Sequence, residues 1–456
     1  MSRLFSPWFR GVCFRKLWVA LAAAQKEAGL QISPQQMAQM RAHEEVIDFA
    51  AIERYEKLFR HDVMAHIHAY GDLCPEAKPI IHWGATSSYV TDNADLIQIK
   101  KALELLFQKM LHVLQKMTHL AKKYGSDPCL GYTHFQPAQP TTIGKRMCLW
   151  LQDFLLDAKE WHRLILQMPF LGLKGATGTQ SSFLALLDGD HKKVGAMEQE
   201  IATSFGFSHV VPISGQTYTR KIDIHVLQSI ASFAASAHKF GTDIRLLAHE
   251  GEIGEPFGKE QVGSSAMPYK RNPIYSERIC GLSRFAISLS QNPIYTSATQ
   301  WLERSLDDSS NRRLAIAETF LSADAILNTM LYVLSDLQVG TEISLEHVLQ
   351  NLPSLCMENL LMAAVKRGAD RQATHEKLRQ IALASTNKES SFETFMAAIE
   401  KAHIVHLSKA EIERVADPKQ LIGRAPEQVA EFLETEVEPF LRKHPVQNIP
   451  IPKVEV

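Results

Sequence analysis

The chain has 456 residues, 45% hydrophobic and 22% charged, with 49 lysines and arginines against 50 aspartates and glutamates. A net charge of −1 gives no global field toward nucleic acid or an anionic membrane, so any anion must be met by a local concentration of cations. That length exceeds what one hydrophobic core organises and predicts two or three domains.

At the N-terminus, Arg3, Arg10, Arg15 and Lys16 precede the apolar run Leu17–Ala24, and no acid comes before Glu27. This superficially resembles a targeting segment. Leu17, Leu21, Ala24 and Ala28 nevertheless recur at helical spacing and predict an amphipathic first helix. No apolar stretch approaches the ~20 residues that span a bilayer, so no membrane is expected. Pro75, Pro79 and Gly84 then mark a boundary, giving a first domain over 1–86.

Next, Leu96, Ile99, Leu103, Leu106, Met110, Val113, Met117, Leu120 and Tyr124 alternate steps of three and four. The stripe predicts a helix of about 43 Å, stopped at Gly125. Similar stripes run from Val226 to Leu247 and from Phe320 to Leu334. Strand-like alternation of useful length is absent, so the fold is expected to be all-α. Helices this long outrun one compact monomer and predict a central bundle, over 87–339, shared between subunits. Gly340-Thr341 opens a tail, 340–456, richer in charge and proline.

Cys13, Cys74, Cys129, Cys148, Cys280 and Cys356 are scattered without a C-x-x-C pair. They suit reduced thiols and a cytoplasmic location better than a disulfide framework or a metal site. Gly254–Glu260 has three residues between its glycines and Glu260 where a phosphate loop needs Ser or Thr, and His375-Glu376 lacks the second histidine of a zincin. His66 and His68 sit two apart with no cysteine or histidine cluster nearby. No metal and no cofactor are expected.

Four segments fall at breaks between helices: Arg60-His61-Asp62, Gly84-Ala85-Thr86-Ser87, Thr133-His134-Phe135-Gln136-Pro137, and Gly263-Ser264-Ser265-Ala266-Met267-Pro268-Tyr269-Lys270-Arg271-Asn272-Pro273. Most of the 19 histidines must be structural. His134 stands apart because proline bounds its loop, whereas a helix interior could satisfy His61 by hydrogen bonding. In the last segment glycine and proline forbid a regular helix, and its hydroxyls, cations and amide suit a small anion.

That string resembles the signature loop of the fumarase/aspartase superfamily, and its Tyr269-Lys270-Arg271-Asn272 version is similar to the adenylosuccinate lyase branch. Argininosuccinate lyase-like loops read MPQKKNP and fumarase-like ones MPGKVNP, and those two activities are the runners-up. The resemblance runs from about Arg60 to the C-terminus. It weakens at the front, where Arg3 is kept but Leu4 stands where the family has a tyrosine.

The resemblance implies a three-domain fold with a long helical bundle, assembled as a homotetramer whose active sites are shared between subunits. It implies β-elimination of fumarate from a succinylated purine nucleotide. The proton next to a carboxylate would go to Ser264, with Ser265 as the alternative base. His134 would protonate the departing nitrogen, and His61 would orient it or hold a carboxylate or phosphate. Lys270, Asn272 and backbone N–H groups of the Gly263–Ser265 turn would stabilise the dianion. Arg304, Ser309 and Arg313, with Arg3, would hold the phosphate. Thr86, Ser87 and Gln216 would hold the succinyl carboxylates, and Arg60, Asp62, Thr133 and Arg278 complete the set. From a different class, a non-catalytic helical oligomer would have lost Ser264, His134 or Lys270, and all three are present.

Overall fold

The computed structural model describes residues 1–258, 260–384, 392–401, 408–449 and 454. Lys259, in the string rejected as a phosphate loop, lies outside them. In chain order the helices are α1 (Pro7–Glu27), α2 (Pro34–Ala42), α3 (Phe49–Phe59), α4 (Asp62–Leu73), α5 (Ser87–Lys123), α6 (Ile143–Gln167), α7 (Ser181–Leu186), α8 (His191–Ser204), α9 (Lys221–His249), α10 (Ile274–Leu289), α11 (Asn292–Ala298), α12 (Asp308–Ser335) and α13 (Thr341–Leu355), followed by shorter helices to Lys443. Between α5 and α6 lies a hairpin, β1 (Pro128–Thr133) and β2 (Gln136–Thr142).

The chain divides into two compact units. One holds Met1–Lys109, Leu156–Ala237 and Gly281–Leu327; the other holds Met110–Leu155, His238–Cys280 and Asn328–Val456. In the first unit, Ser6 caps α1 by accepting from the Phe9 N–H at 3.2 Å, and Pro7 sits where a missing N–H is harmless. The expected amphipathic α1 is instead buried almost all round, because α2 and α8 both pack on it. Even Arg15 is 1% exposed; its guanidinium donates to the His43 carbonyl at 2.6 Å and stands 4.6 Å over the Tyr70 ring. Deeper in this unit, Lys109 pairs with Asp324 at 2.5 Å, Ser232 donates to Asp157 at 2.8 Å, and Trp161 meets Phe233 edge-on.

In the second unit, Trp150 on α6 donates to Asp243 on α9 at 2.7 Å and packs edge-on against Phe240. β1 rests on α13 through Leu130 against Val348 and Leu355, which seats the hairpin on a helix. The C-terminal helices carry a core of their own around Leu360, Phe395, Met396 and Ile412.

The predicted stripes are the buried faces of α5, α9 and α12: Leu96, Leu103, Met110, Phe233, Phe240 and Phe320 are all fully buried. They are covered within a single chain, which corrects the expectation that other subunits must cover them. The apolar side chains left exposed lie elsewhere, and Leu149, Leu156 and Leu166 on α6 are all more than half exposed. One helix, α12, is long and apolar enough to cross a membrane by length and composition, contrary to the sequence estimate. Its most apolar window is 61% buried inside the protein, as the core helix of a water-soluble protein would be.

Candidate active site

The first unit carries one set of the expected residues. Arg60 ends α3 in the left-handed region, φ 52°, a strained conformation for a side chain with a Cβ. The next residue starts α4: His61 is its N-cap, and Nδ1 accepts from the Met64 N–H at 3.2 Å. A cap accepting at Nδ1 leaves the proton of the neutral ring on Nε2. Asp62, in the first turn of α4, lies 3.6 Å from His66 Nε2 and 3.8 Å from Arg313 Nη2, so the structure brings Asp62 and Arg313 together.

A second convergence joins residues 130 positions apart. Gln216 Nε2 donates to Thr86 Oγ1 and to the Ala176 carbonyl, both at 3.3 Å, while Ser88 donates to its Oε1. Ser87 lies beside this pair as the first residue of α5. The Gln216 N–H donates to the Glu303 carbonyl at 3.0 Å, and a Cβ on Gly215 would stand 2.6 Å from that oxygen. Only glycine lets the two segments approach so closely, and the contact places Gln216 against the residue before Arg304. Leu302 nearby has φ 44° and is 98% exposed, a second strained position beside expected site residues. Ser309 sits in the first turn of α12, whereas Arg3 stacks on Trp8 at 5.0 Å.

Beneath these residues lies a buried ionic network. Arg220 grips Asp92 at 2.9 Å and Asp308 at 2.7 Å, and Arg312 grips Asp223 at 2.7 Å and Asp95 at 2.9 Å. Tyr218 donates to Asp223 at 2.6 Å, and Arg10 reaches Asp95 at 2.8 Å. Burial alone would neutralise Asp95, but Arg10 and Arg312 hold its carboxyl below the usual range. The network locks the start of α12, with Arg304 and Arg313 flanking it, to α5 and α9.

His82 escaped the sequence reading. It has φ 69°, its Nδ1 accepts from Trp18 Nε1–H at 2.9 Å, and burial, then the charge of His61, push it down to about 4. The available signal was position, two residues before Gly84-Ala85-Thr86-Ser87.

The second unit carries the remaining residues. The expected loop around His134 is the tip of the hairpin, with Thr133 paired to Gln136. His134 and Phe135 form its two-residue turn at φ 52° and 57°, both left-handed, as a type I′ turn requires. Gly131 stands at an irregularity in the ladder, where a Cβ would lie 2.3 Å from the Gln139 carbonyl. The buried Glu252 braces the hairpin: Arg146 and His347 each reach it at 3.0 Å, and Tyr132 donates to it at 3.4 Å.

In the Gly263–Pro273 loop, Ser264 Oγ accepts backbone N–H groups from Ala266 at 3.3 Å and Met267 at 3.1 Å. Among the described residues these donors turn to Ser264, not Ser265. Asn272 Nδ2 likewise donates to the Gly263 carbonyl at 2.9 Å. Lys270 is exposed, and Arg278 lies 5.9 Å over the Tyr275 ring. Glu255 caps α10 by accepting from the Tyr275 N–H at 3.0 Å and the Ser276 N–H at 2.5 Å, and burial raises its carboxyl above the usual range. Among the described residues no group of three or more His, Cys, Asp or Glu is placed to hold a metal ion.

A lyase family model matches residues 15–287, and a model of the adenylosuccinate lyase C-terminus matches 353–432. The adenylosuccinate lyase of Saccharomyces cerevisiae is 44% identical over 96% of this chain and 92% of its own length. That of Schizosaccharomyces pombe matches equally, and that of Schistosoma mansoni is 42% identical over 95% of this chain and 91% of its own. Two solved structures share the fold at 22% identity. They are a 3-carboxy-cis,cis-muconate lactonizing enzyme from Pseudomonas putida, with TM-score 0.84 over 96% of this chain and 97% of that one, and a fumarate lyase from Mesorhizobium sp. BNC1, with TM-score 0.82 over 95% and 97%. The all-α fold and the near full-length identity agree, and the chain belongs to the adenylosuccinate lyase family of the fumarase/aspartase superfamily.

Proposed function

We infer that the chain is a carbon–nitrogen lyase that cleaves adenylosuccinate to AMP and fumarate, and the succinyl-carboxamide imidazole ribotide to its carboxamide and fumarate. Identity across nearly the whole chain to adenylosuccinate lyases from three organisms supports this reading. It leaves the argininosuccinate lyase, fumarase and non-catalytic readings without support.

In the mechanism we propose, Ser264 removes the proton from the carbon beside a succinyl carboxylate. The electron pair moves into that carboxylate to give a dianion, then returns to form the double bond of fumarate as the carbon–nitrogen bond breaks. His134 delivers a proton to the departing nitrogen. A serine hydroxyl is a weak base, and the observation that carries its assignment is the pair of backbone N–H groups on Ser264 Oγ, which would stabilise the alkoxide. Lys270 supplies charge at the dianion. Thr86, Ser87 and Gln216 take the carboxylates, while Arg304, Ser309 and Arg313 take the phosphate. His61, with Arg60 and Asp62, would hold a substrate anion or orient His134 in a site shared between subunits. Arg3, Thr133, Asn272 and Arg278 are support.

The six unpaired, buried cysteines support a reducing compartment such as the cytoplasm. The exposed leucines of α6 support a homotetramer. Segments 1–86, 87–339 and 340–456 would be its three domains, since α5 begins at Ser87 and α13 at Thr341. The test is an absorbance assay of the purified protein with adenylosuccinate and with argininosuccinate. Turnover of the first alone is expected, and turnover of the second alone would overturn the reading.

A further inference from the structure

Arg304 and Asp308 each hold a buried polar atom without a hydrogen-bond partner: Nη1 of the arginine and Oδ1 of the aspartate. They lie four residues apart, Arg304 in the segment before α12 and Asp308 at its first position, with Nη1 3.6 Å from Asp308 Oδ2, beyond hydrogen-bond length. Asp308 cannot move to close that gap. Its side chain is wholly buried, and Arg220 holds Oδ2 with two nitrogens, Nε at 2.8 Å and Nη2 at 2.7 Å. Arg220 is itself fixed by Asp92 at 2.9 Å. Thus a rigid carboxylate draws the buried Nη1 edge of the Arg304 guanidinium inward by charge without a hydrogen bond, and the remainder of the side chain, 24% exposed, is left to meet a ligand.

We propose that Asp308 is a positioning residue that aims Arg304 at the substrate phosphate without saturating it. This rests on the reading of Arg304 as a phosphate ligand. A fully paired Arg304 would have to break an ion pair before meeting the ligand, and an untethered one would lose side-chain entropy on binding; the loose tether avoids both. Because a carboxylate beside a phosphate site would by itself repel the ligand, the proposal predicts the less obvious sign: removing the acid weakens binding.

The experiment measures kcat and KM for adenylosuccinate and for its dephosphorylated nucleoside in the wild type, Asp308→Asn, Arg304→Lys and the double variant. Asp308→Asn is expected to raise KM for the nucleotide ~10-fold, to leave kcat within ~3-fold, and to leave the nucleoside unaffected. The double variant should be no worse than Arg304→Lys, because both changes remove one interaction. Asp324→Asn, which weakens the buried Lys109–Asp324 pair without touching Arg220, Asp308 or Arg304, should lower the melting temperature and leave the nucleotide-to-nucleoside KM ratio unchanged. Should Asp308→Asn not fold, Arg220→Lys gives the same reading, since lysine cannot grip Asp308 through two nitrogens. A KM that is unchanged or lowered, or that rises equally for the nucleoside, overturns the positioning role. If Arg304→Lys itself leaves KM unchanged, the phosphate assignment is what fails.

Discussion

Asn272 Nδ2 donates to the Gly263 carbonyl at 2.9 Å, so the two ends of the signature loop are tied together by one of its own side chains. The closure is tight: a Cβ on Gly263 would stand 1.9 Å from the Lys270 carbonyl oxygen. Gly263→Ala must therefore open the loop and displace Ser264, although the neighbouring residues are mostly exposed and add little to stability. We expect kcat/KM to fall ~100-fold or more with the melting temperature nearly unchanged. Steady-state kinetics beside thermal melts check this, and activity within tenfold of wild type would show that closure is not required.

The two adjacent serines of that loop should behave differently. Ser264 Oγ receives two backbone N–H groups, which favour its oxygen as an anion. Ser264→Ala should lower kcat by ~10²–10⁴ with KM little changed, the usual range for a positioned proton-transfer group. Ser265→Ala should be mild. The reverse ranking in parallel assays would give the base to Ser265.

What the sequence disclosed depended on periodicity. The step of three and four from Leu96 through Met117 is a backbone rule, and α5 follows it with each of those positions buried. Periodicity could not show that α1 is enclosed on all sides, because a partner helix on the polar face leaves no mark on the spacing, and Arg15 hides its charge on carbonyls from another segment. The hairpin escaped for a different reason. Pro128, Pro137 and Pro140 interrupt any alternation, and the left-handed turn is built from His134 and Phe135 instead of the usual Asn-Gly. His82 escaped because its distinction is burial and backbone strain, neither of which is a residue type.

The Arg312 network offers a stability test in which magnitude decides. Arg312 is buried against Asp223 and Asp95, so Asp223→Ala leaves part of a buried charge uncompensated, and Tyr218 loses its acceptor. The expected cost is about 3–5 kcal/mol. Glu53→Ala, which removes the exposed partner of Lys57, should leave stability nearly unchanged. Denaturant unfolding compares the two. Similar small losses would mean that the network adds no more than a surface pair.

His82 makes a pH prediction. Its folded value of about 4 lies below the ~6.5 of an unfolded histidine, so between those values the unfolded chain binds more protons. Stability from this group is complete above ~6.5, declines as pH falls, and levels off near 4, a total on the order of 3 kcal/mol. Asparagine tolerates the left-handed backbone, and its oxygen can accept the Trp18 N–H, so His82→Asn removes the titration and keeps the geometry. The variant should lose less stability than wild type on acidification from pH 6.5 to 4. Parallel curves over that window would show that His82 titrates normally.

The last prediction concerns assembly. The buried stripes of α5 and α9 give no reason for a second chain, but α6 does: Leu149 and Leu156 stand two turns apart on one face, 54% and 59% exposed, with Leu166 at 57% further along. Such a row costs hydration on a lone chain and is removed from water when copies associate. If association also builds active sites from different subunits, two dead variants should complement. His134→Ala and Ser264→Ala are each expected to be nearly inactive, and to regain part of their activity once mixed and allowed to exchange subunits. Mixed oligomers would contain some sites that combine an intact His134 from one chain with an intact Ser264 from another. Native mass spectrometry verifies the mixing. Verified mixed oligomers that stay as inactive as their parents would show that one chain supplies both residues of a site.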